Sequence, residues 1–150
     1  MSGYFTAVST FTLQYESVVW VTLSYILLYY AFMVYGLQVK IKLIKRCKAE
    51  GSKFDRYSNQ YPELLAADRI QLNTLEHMPP FLILLWLNAL IVGPQSATTL
   101  GAIYVFLRAL YPFFMGPELK RFIPLRVLIN TFSSYAVLLI MLGGIVWKLL

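Results

Sequence analysis

The stretch RIQLNTLEHMPP, residues 69–80, places Arg69, Asn73 and Glu76 at positions i, i+4 and i+7, with Gln71 to the side. On a helix that spacing gathers a guanidinium, an amide and a carboxylate onto one face. Such a face suits a polar ligand that carries both carboxylates and an amine. Guanidinium groups fork onto carboxylates, the Glu accepts an ammonium, and the Asn satisfies a peptide amide. Two further arginines fall toward the same end of the chain's apolar segments. Arg108 lies within YVFLRALY, three residues before Tyr111, and Arg126 follows Pro124 directly. Polar groups at membrane depth are costly unless paired or wetted, so each is a functional hypothesis by default. The plain alternative for Arg69 and Glu76 is a solvated or self-paired helix terminus.

These residues sit in a chain of 150 residues, 59% of them hydrophobic, with mean hydropathy +0.63. Soluble domains are closer to 45–50% apolar. The excess is concentrated in four blocks, at about 16–43, 62–91, 96–114 and 125–149. Each is long enough to cross a bilayer, which takes about 20 residues. The expected fold is all-α: one domain over residues 1–150, built as a left-handed four-helix membrane bundle. Residues 44–61 and 115–124 are expected as its charged loops. The second block is too long for the hydrocarbon core. About 30 residues rise ~45 Å against ~30 Å of hydrocarbon, so its polar first half sits at or beyond the membrane edge.

The net charge is +6, but the basic residues cluster beside the apolar blocks, which reads as membrane topology and contact with anionic lipid, not nucleic acid. Lys40, Lys42, Lys45, Arg46, Lys48, Lys53 and Arg56 surround the first long loop. Lys120, Arg121 and Arg126 surround the third, and the loop VGPQS carries no charge. The positive-inside rule puts both charged loops in the cytosol and both termini on the far side. No basic n-region precedes the first block, so that block is expected to act as its own insertion signal. Tyr4, Phe5, Tyr15, Trp20 and Trp147 fit aromatic belts at the far interface. The single Cys47 reads as a bystander on a polar loop, and His77 as structural or interfacial. Tyr25, Tyr29, Tyr30 and Tyr35 read as packing and lipid-edge residues. Pro79 and Pro80 should kink the second helix. There is no metal-binding pattern, no phosphate-binding glycine loop and no Ser/His/Asp arrangement.

RIQLNTLE, followed by Pro80 and Phe81, resembles the signature of the membrane-associated proteins in eicosanoid and glutathione metabolism, the MAPEG family. That family includes the microsomal glutathione transferases, leukotriene-C synthase and the 5-lipoxygenase-activating protein. FLILLWLNAL, the Arg108/Tyr111 pair and PLRVL are similar to later family segments, and the likeness covers roughly residues 16–147. The resemblance implies a homotrimer with glutathione held between neighbouring subunits near the cytosolic face. Arg69, Asn73 and Glu76 would bind it from one subunit, and Arg108, Tyr111 and Arg126 from the next. Lys40 would reach a glutathione carboxylate, and Arg126 would be catalytic by favouring the thiolate.

The implied activity is a glutathione-dependent transferase or peroxidase acting on lipophilic electrophiles or lipid hydroperoxides. The implied location is the endoplasmic reticulum in a eukaryote or the inner membrane in a bacterium. Four positions depart from the family pattern: Ile70 stands for the usual Ala, Met115 for an aromatic, and Val127 and Asn130 for a Ser and a Tyr near Arg126. The last three keep alive a second reading, a lipid-binding scaffold or an accessory subunit. A transporter or channel would need polar residues along a full crossing path, which the far halves of these segments lack.

Overall fold

In a computed structural model, residues 2–120, 122 and 124–150 are described, with side chains described from residue 13 onward apart from 121 and 123. The expectations for Arg121 and for the Tyr4 and Phe5 side chains lie outside that set. Four helices follow in order: α1 Ser2–Ala49, α2 Pro62–Ile91, α3 Pro94–Met115 and α4 Leu125–Leu149. All four are long and apolar enough to cross a membrane. Proline sits at the start of α2 and of α3, where its missing N–H is one that the first turn leaves unpaired anyway.

The packing is diagonal. α2 and α3 touch each other and both outer helices, while α1 and α4 do not meet. One core, at the level of the first half of α1, joins Val18, Val21 and Tyr25 to Phe81, Leu85, Tyr104 and Met141. A second, nearer the basic loops, joins Phe32, Ala66, Ile70, Tyr111, Met115 and Val127 from all four helices. In lipid there is little hydrophobic drive between helices, so close packing at small residues and interhelical hydrogen bonds carry association. Gly101 shows this at its tightest. A Cβ there would lie 2.7 Å from both Leu85 Cδ1 and Val21 Cγ1. Val21 is β-branched and held in one rotamer on its helix, so it cannot step aside. Gly101→Ala is therefore expected to destabilise the bundle by about 1–3 kcal/mol, the usual penalty of overpacking. Thermal unfolding in detergent checks this.

Three expectations are corrected here. α1 does not end near Leu43 but continues to Ala49, so the first turns of the expected linker are helical. At 1.5 Å per residue its 48 residues rise ~72 Å, which carries its basic end well clear of the hydrocarbon core. Cys47 accordingly lies on a helix rather than a loop and is buried, with its sulfur 3.3 Å from the Tyr61 hydroxyl. That hydrogen bond, followed by burial, pushes the Tyr61 hydroxyl above its ordinary value, so it stays protonated. The pair, packed with Leu43 and Leu64, ties the end of α1 to the start of α2. Tyr15 is likewise buried in the core beside Trp86, whereas Trp20 and Trp147 are exposed as an interfacial belt requires.

Candidate functional site

The polar residues of α2 divide between the interior and the surface. Arg69 and Glu76 are exposed, but Asn73 is buried at 7% exposure. Pro79 and Pro80 lie inside the continuous helix with both rings exposed. Their missing N–H groups leave the carbonyls of Leu75 and Glu76 without intrahelical donors, so acceptors accumulate beside the Glu76 carboxylate.

Beneath this surface lies Arg108. It is fully buried within the chain. Its Nη2 donates to the Asn73 carbonyl at 2.9 Å and also to Asn73 Oδ1. Its Cζ stands 5.4 Å from the Tyr111 ring centroid and 6.0 Å from that of Tyr104. Nε and Nη1 have no hydrogen-bond partner. The resemblance had assigned Arg108 and Asn73 to different subunits around one ligand. The structure joins them inside one chain, and Arg108 props Asn73 from below instead of reaching the surface. The physical reason is the apolar surround of α3: a guanidinium with no route to water takes the nearest acceptor.

Tyr111 connects the buried and exposed layers. Its ring packs in the second core and over Arg108, while its hydroxyl lies within interaction range of Arg69, with Glu76 also acting on it. Arg69 and Glu76 thus stand exposed on α2, while Tyr111 of α3 and the Asn73–Arg108 pair lie buried beside them.

Arg126 opens α4 on the exposed side. Its Nε donates to the carbonyl of Phe114 at 2.9 Å, one of the carbonyls that the end of α3 leaves free. This bond fixes the guanidinium through one edge and leaves both terminal nitrogens without a partner among the described residues. Val127, Met115 and Asn130 are all buried: the first two pack in the second core, and Asn130 Nδ2 donates to the Leu107 carbonyl at 2.9 Å. These three of the four positions that depart from the family pattern are therefore occupied by packing within the chain.

Lys40 belongs to another face. It lines a cleft of about 240 Å3 with Gly36, Arg56, Asp68 and Gln71, between α1 and α2. At 100° per residue, Asp68 and Gln71 lie about 120° around α2 from Arg69 and Glu76. Arg56 is the residue the sequence reading missed as part of a site. A basic side chain on a charged linker looks solvated, and only the fold of the linker brings it over Lys40.

The other candidates take structural places. His77 is buried, with Nδ1 2.9 Å from the Tyr104 hydroxyl and its ring 4.9 Å from that of Tyr135. Tyr25 is fully buried and donates to the Thr74 carbonyl at 2.7 Å.

The chain matches the family model described as "MAPEG family" over residues 17–147. A comparison with curated proteins finds no match.

Proposed function

The chain belongs to the MAPEG family, and on that premise we propose that it is a glutathione-dependent membrane enzyme working at its basic end. The observation that carries this reading is the pair of polar faces on α2. One holds Arg69, Glu76 and the Tyr111 hydroxyl; the other holds Gln71 and Asp68 with Lys40 and Arg56. A ring of identical subunits repeats one heterologous contact, in which one face of a protomer meets a different face of the next. A homotrimer assembled in this way would place Lys40 and Gln71 of one subunit opposite Arg69 and Glu76 of its neighbour. The composite cleft then offers cations for two carboxylates and an acidic group for an ammonium, which is the charge pattern of glutathione. The apolar flanks of the same helices supply the surface for a lipophilic co-substrate.

In this reading Arg69 and Lys40 hold carboxylates and Glu76 holds the α-ammonium. Asn73, fixed by Arg108, offers what remains of its amide to the tripeptide backbone. Arg126 stands by the sulfur and favours its thiolate, the nucleophilic form. The thiolate adds to a lipophilic electrophile or displaces its leaving group, forming a carbon–sulfur bond; with a lipid hydroperoxide it attacks the terminal oxygen, releases the lipid alcohol, and a second glutathione completes the reduction to give glutathione disulfide and water. The basic loops face the cytosol, in the endoplasmic reticulum or a bacterial inner membrane.

A second reading, the lipid-binding scaffold, is favoured by one observation. Met115, Val127 and Asn130 are committed to packing, so Arg126 has no hydroxyl from those positions beside it. Titrating the detergent-purified protein with glutathione at neutral pH separates the two. A saturable ultraviolet thiolate band, with matching calorimetric binding weakened by Glu76→Gln, is expected. Binding without the band would favour the scaffold, and no binding at all would overturn the enzyme.

A further inference from the structure

The cleft that Lys40 of α1 shares with Asp68 and Gln71 of α2 has a further wall, supplied by the linker between the two helices. That wall is Arg56. A basic residue on a linker is ordinarily loose in water, but this one sits at the tip of a built turn. The Tyr57 N–H donates to Asp55 Oδ1 at 2.9 Å and the Ser58 N–H to the Asp55 carbonyl at 3.4 Å, so an aspartate closes the backbone around Arg56. On one side of the turn Phe54 stacks on Tyr61, with ring centroids 5.3 Å apart, and packs against Leu43 of α1 and Leu64 of α2. On the other side the Gln60 N–H donates to Ser58 Oγ at 3.3 Å.

The charges in this cleft are not paired with one another. Among the described residues the one ion pair is Arg46–Glu63. Lys40, Arg56 and Asp68 thus line one cleft of about 240 Å3 with no ion pair between them. Two cations against one carboxylate leave a net positive charge. Like charges gathered at one small cleft repel unless an anion lies between them. A carboxylate is such an anion, because its two oxygens can accept from a guanidinium and an ammonium together.

We propose that Arg56 is a further binding residue for glutathione, and that with Lys40 it clamps the glycine carboxylate, so that the thiol substrate must carry a free C-terminal carboxylate. This rests on the glutathione reading given above. Glutathione has two carboxylates, and one shares a carbon with the ammonium. Glu76 holds that ammonium, so the adjacent carboxylate falls to Arg69 on the same side of α2. The remote carboxylate, that of glycine, falls to the opposite wall of the composite cleft, where Lys40 and Arg56 stand. Asp55 touches no ligand and acts as a positioning residue that presents Arg56.

Calorimetric titration of the detergent-purified full chain tests this with glutathione and its two isomeric monoethyl esters, one blocked at the glycine carboxyl and the other at the γ-glutamyl α-carboxyl. The esters carry the same net charge, so general attraction to a basic surface treats them alike. Arg56→Ala is expected to weaken binding of glutathione and of the γ-glutamyl ester roughly tenfold, the lower end for a hydrogen bond to a charged group, and to leave the glycyl ester unchanged. Asp55→Ala should produce part of that loss, and Asp55→Asn, which keeps the Oδ1 acceptor, should produce little. Equal losses in the two Asp55 variants would overturn the positioning role. Arg56→Ala weakening both esters alike would make Arg56 a general source of positive potential and overturn the assignment, as would no loss at all or a loss confined to the glycyl ester. In each of those outcomes the unaltered protein still binds glutathione, and the glutathione reading stands. Failure of the unaltered protein to bind glutathione would overturn both.

Discussion

Asn73→Leu is expected to destabilise the protein by about 3–5 kcal/mol, the range for stripping one partner from a buried charge. The size of this loss distinguishes two accounts of the Asn73–Arg108 contact. Ordinary interhelical hydrogen bonds in membrane bundles average only about 0.6 kcal/mol. If the contact were one of those, its loss would scarcely register. Arg108, however, is fully buried, and among the described residues its hydrogen bonds within 3 Å both go to Asn73, with the Tyr25 hydroxyl a weaker neighbour. Its other nitrogens are already without partners, and the rings of Tyr104 and Tyr111 offer only weak compensation at 6.0 and 5.4 Å. Leucine would leave the backbone carbonyl of residue 73 and, more weakly, the Tyr25 hydroxyl to face a full positive charge.

The same account predicts the sign of a double-mutant cycle. Replacing both partners by apolar groups of similar size removes the charge together with its acceptor, which is often neutral or stabilising. Asn73→Leu combined with Arg108→Met should therefore recover most of the stability lost in Asn73→Leu alone. Unfolding in detergent, followed by helical circular dichroism, measures all four corners. A loss under about 1 kcal/mol for Asn73→Leu, or simple additivity in the double variant, would show that Arg108 draws its compensation from elsewhere.

This pair also marks where the sequence stops informing. A lone arginine in YVFLRALY announces that a polar partner exists, because no bare guanidinium is stable in hydrocarbon. It does not say which of several amides and acids supplies it. The spacing of Arg69, Asn73 and Glu76 correctly puts them on one side of α2, yet that side straddles the boundary between groove and interior. A step of about 40° from Arg69 to Asn73 moves the amide inside. Lys40 shows a different limit: position along α1 predicts its depth, while its facing depends on how α1 rolls against α2.

The helix ends follow the same logic. α2 and α4 begin where Pro62 and Pro124 stop the preceding chain, and both starts are legible. The end of α1 is not, because charged residues end a membrane span without ending a helix. Lys45, Arg46 and Lys48 are good helix formers, and their exposed side chains remain in water once the helix has left the bilayer. Arg46 then finds Glu63, and Cys47 finds Tyr61, contacts that join segments on either side of the linker.

Arg126→Ala is expected to shift the pH profile of glutathione-dependent activity upward by about 1–3 units and to leave stability nearly unchanged. The shift follows from charge. A thiol of ordinary pKa near 8.5 is only a few per cent ionised at pH 7. A guanidinium within about 4–6 Å lowers that value by roughly 1–3 units, which makes much of the thiol reactive at neutral pH. Removing the cation restores the ordinary value. Activity at pH 7 should then fall about tenfold or more and should recover as the pH rises through the thiol's own titration. Stability is spared because Arg126 is exposed, and its hydrogen bond is to a helix-end carbonyl that water can serve equally well. Arg126→Lys separates charge from geometry. Lysine keeps the positive charge but has no second nitrogen with which to hold Phe114 while facing a ligand, so it should restore only part of the shift. Binding affinity for glutathione, measured in the same variants, should change far less than the thiolate fraction, because Arg69, Glu76 and Lys40 hold the rest of the tripeptide in the proposed site. An unmoved pH profile in Arg126→Ala would remove Arg126 from thiol activation. A profile unmoved while glutathione affinity collapsed would reassign it to binding a carboxylate.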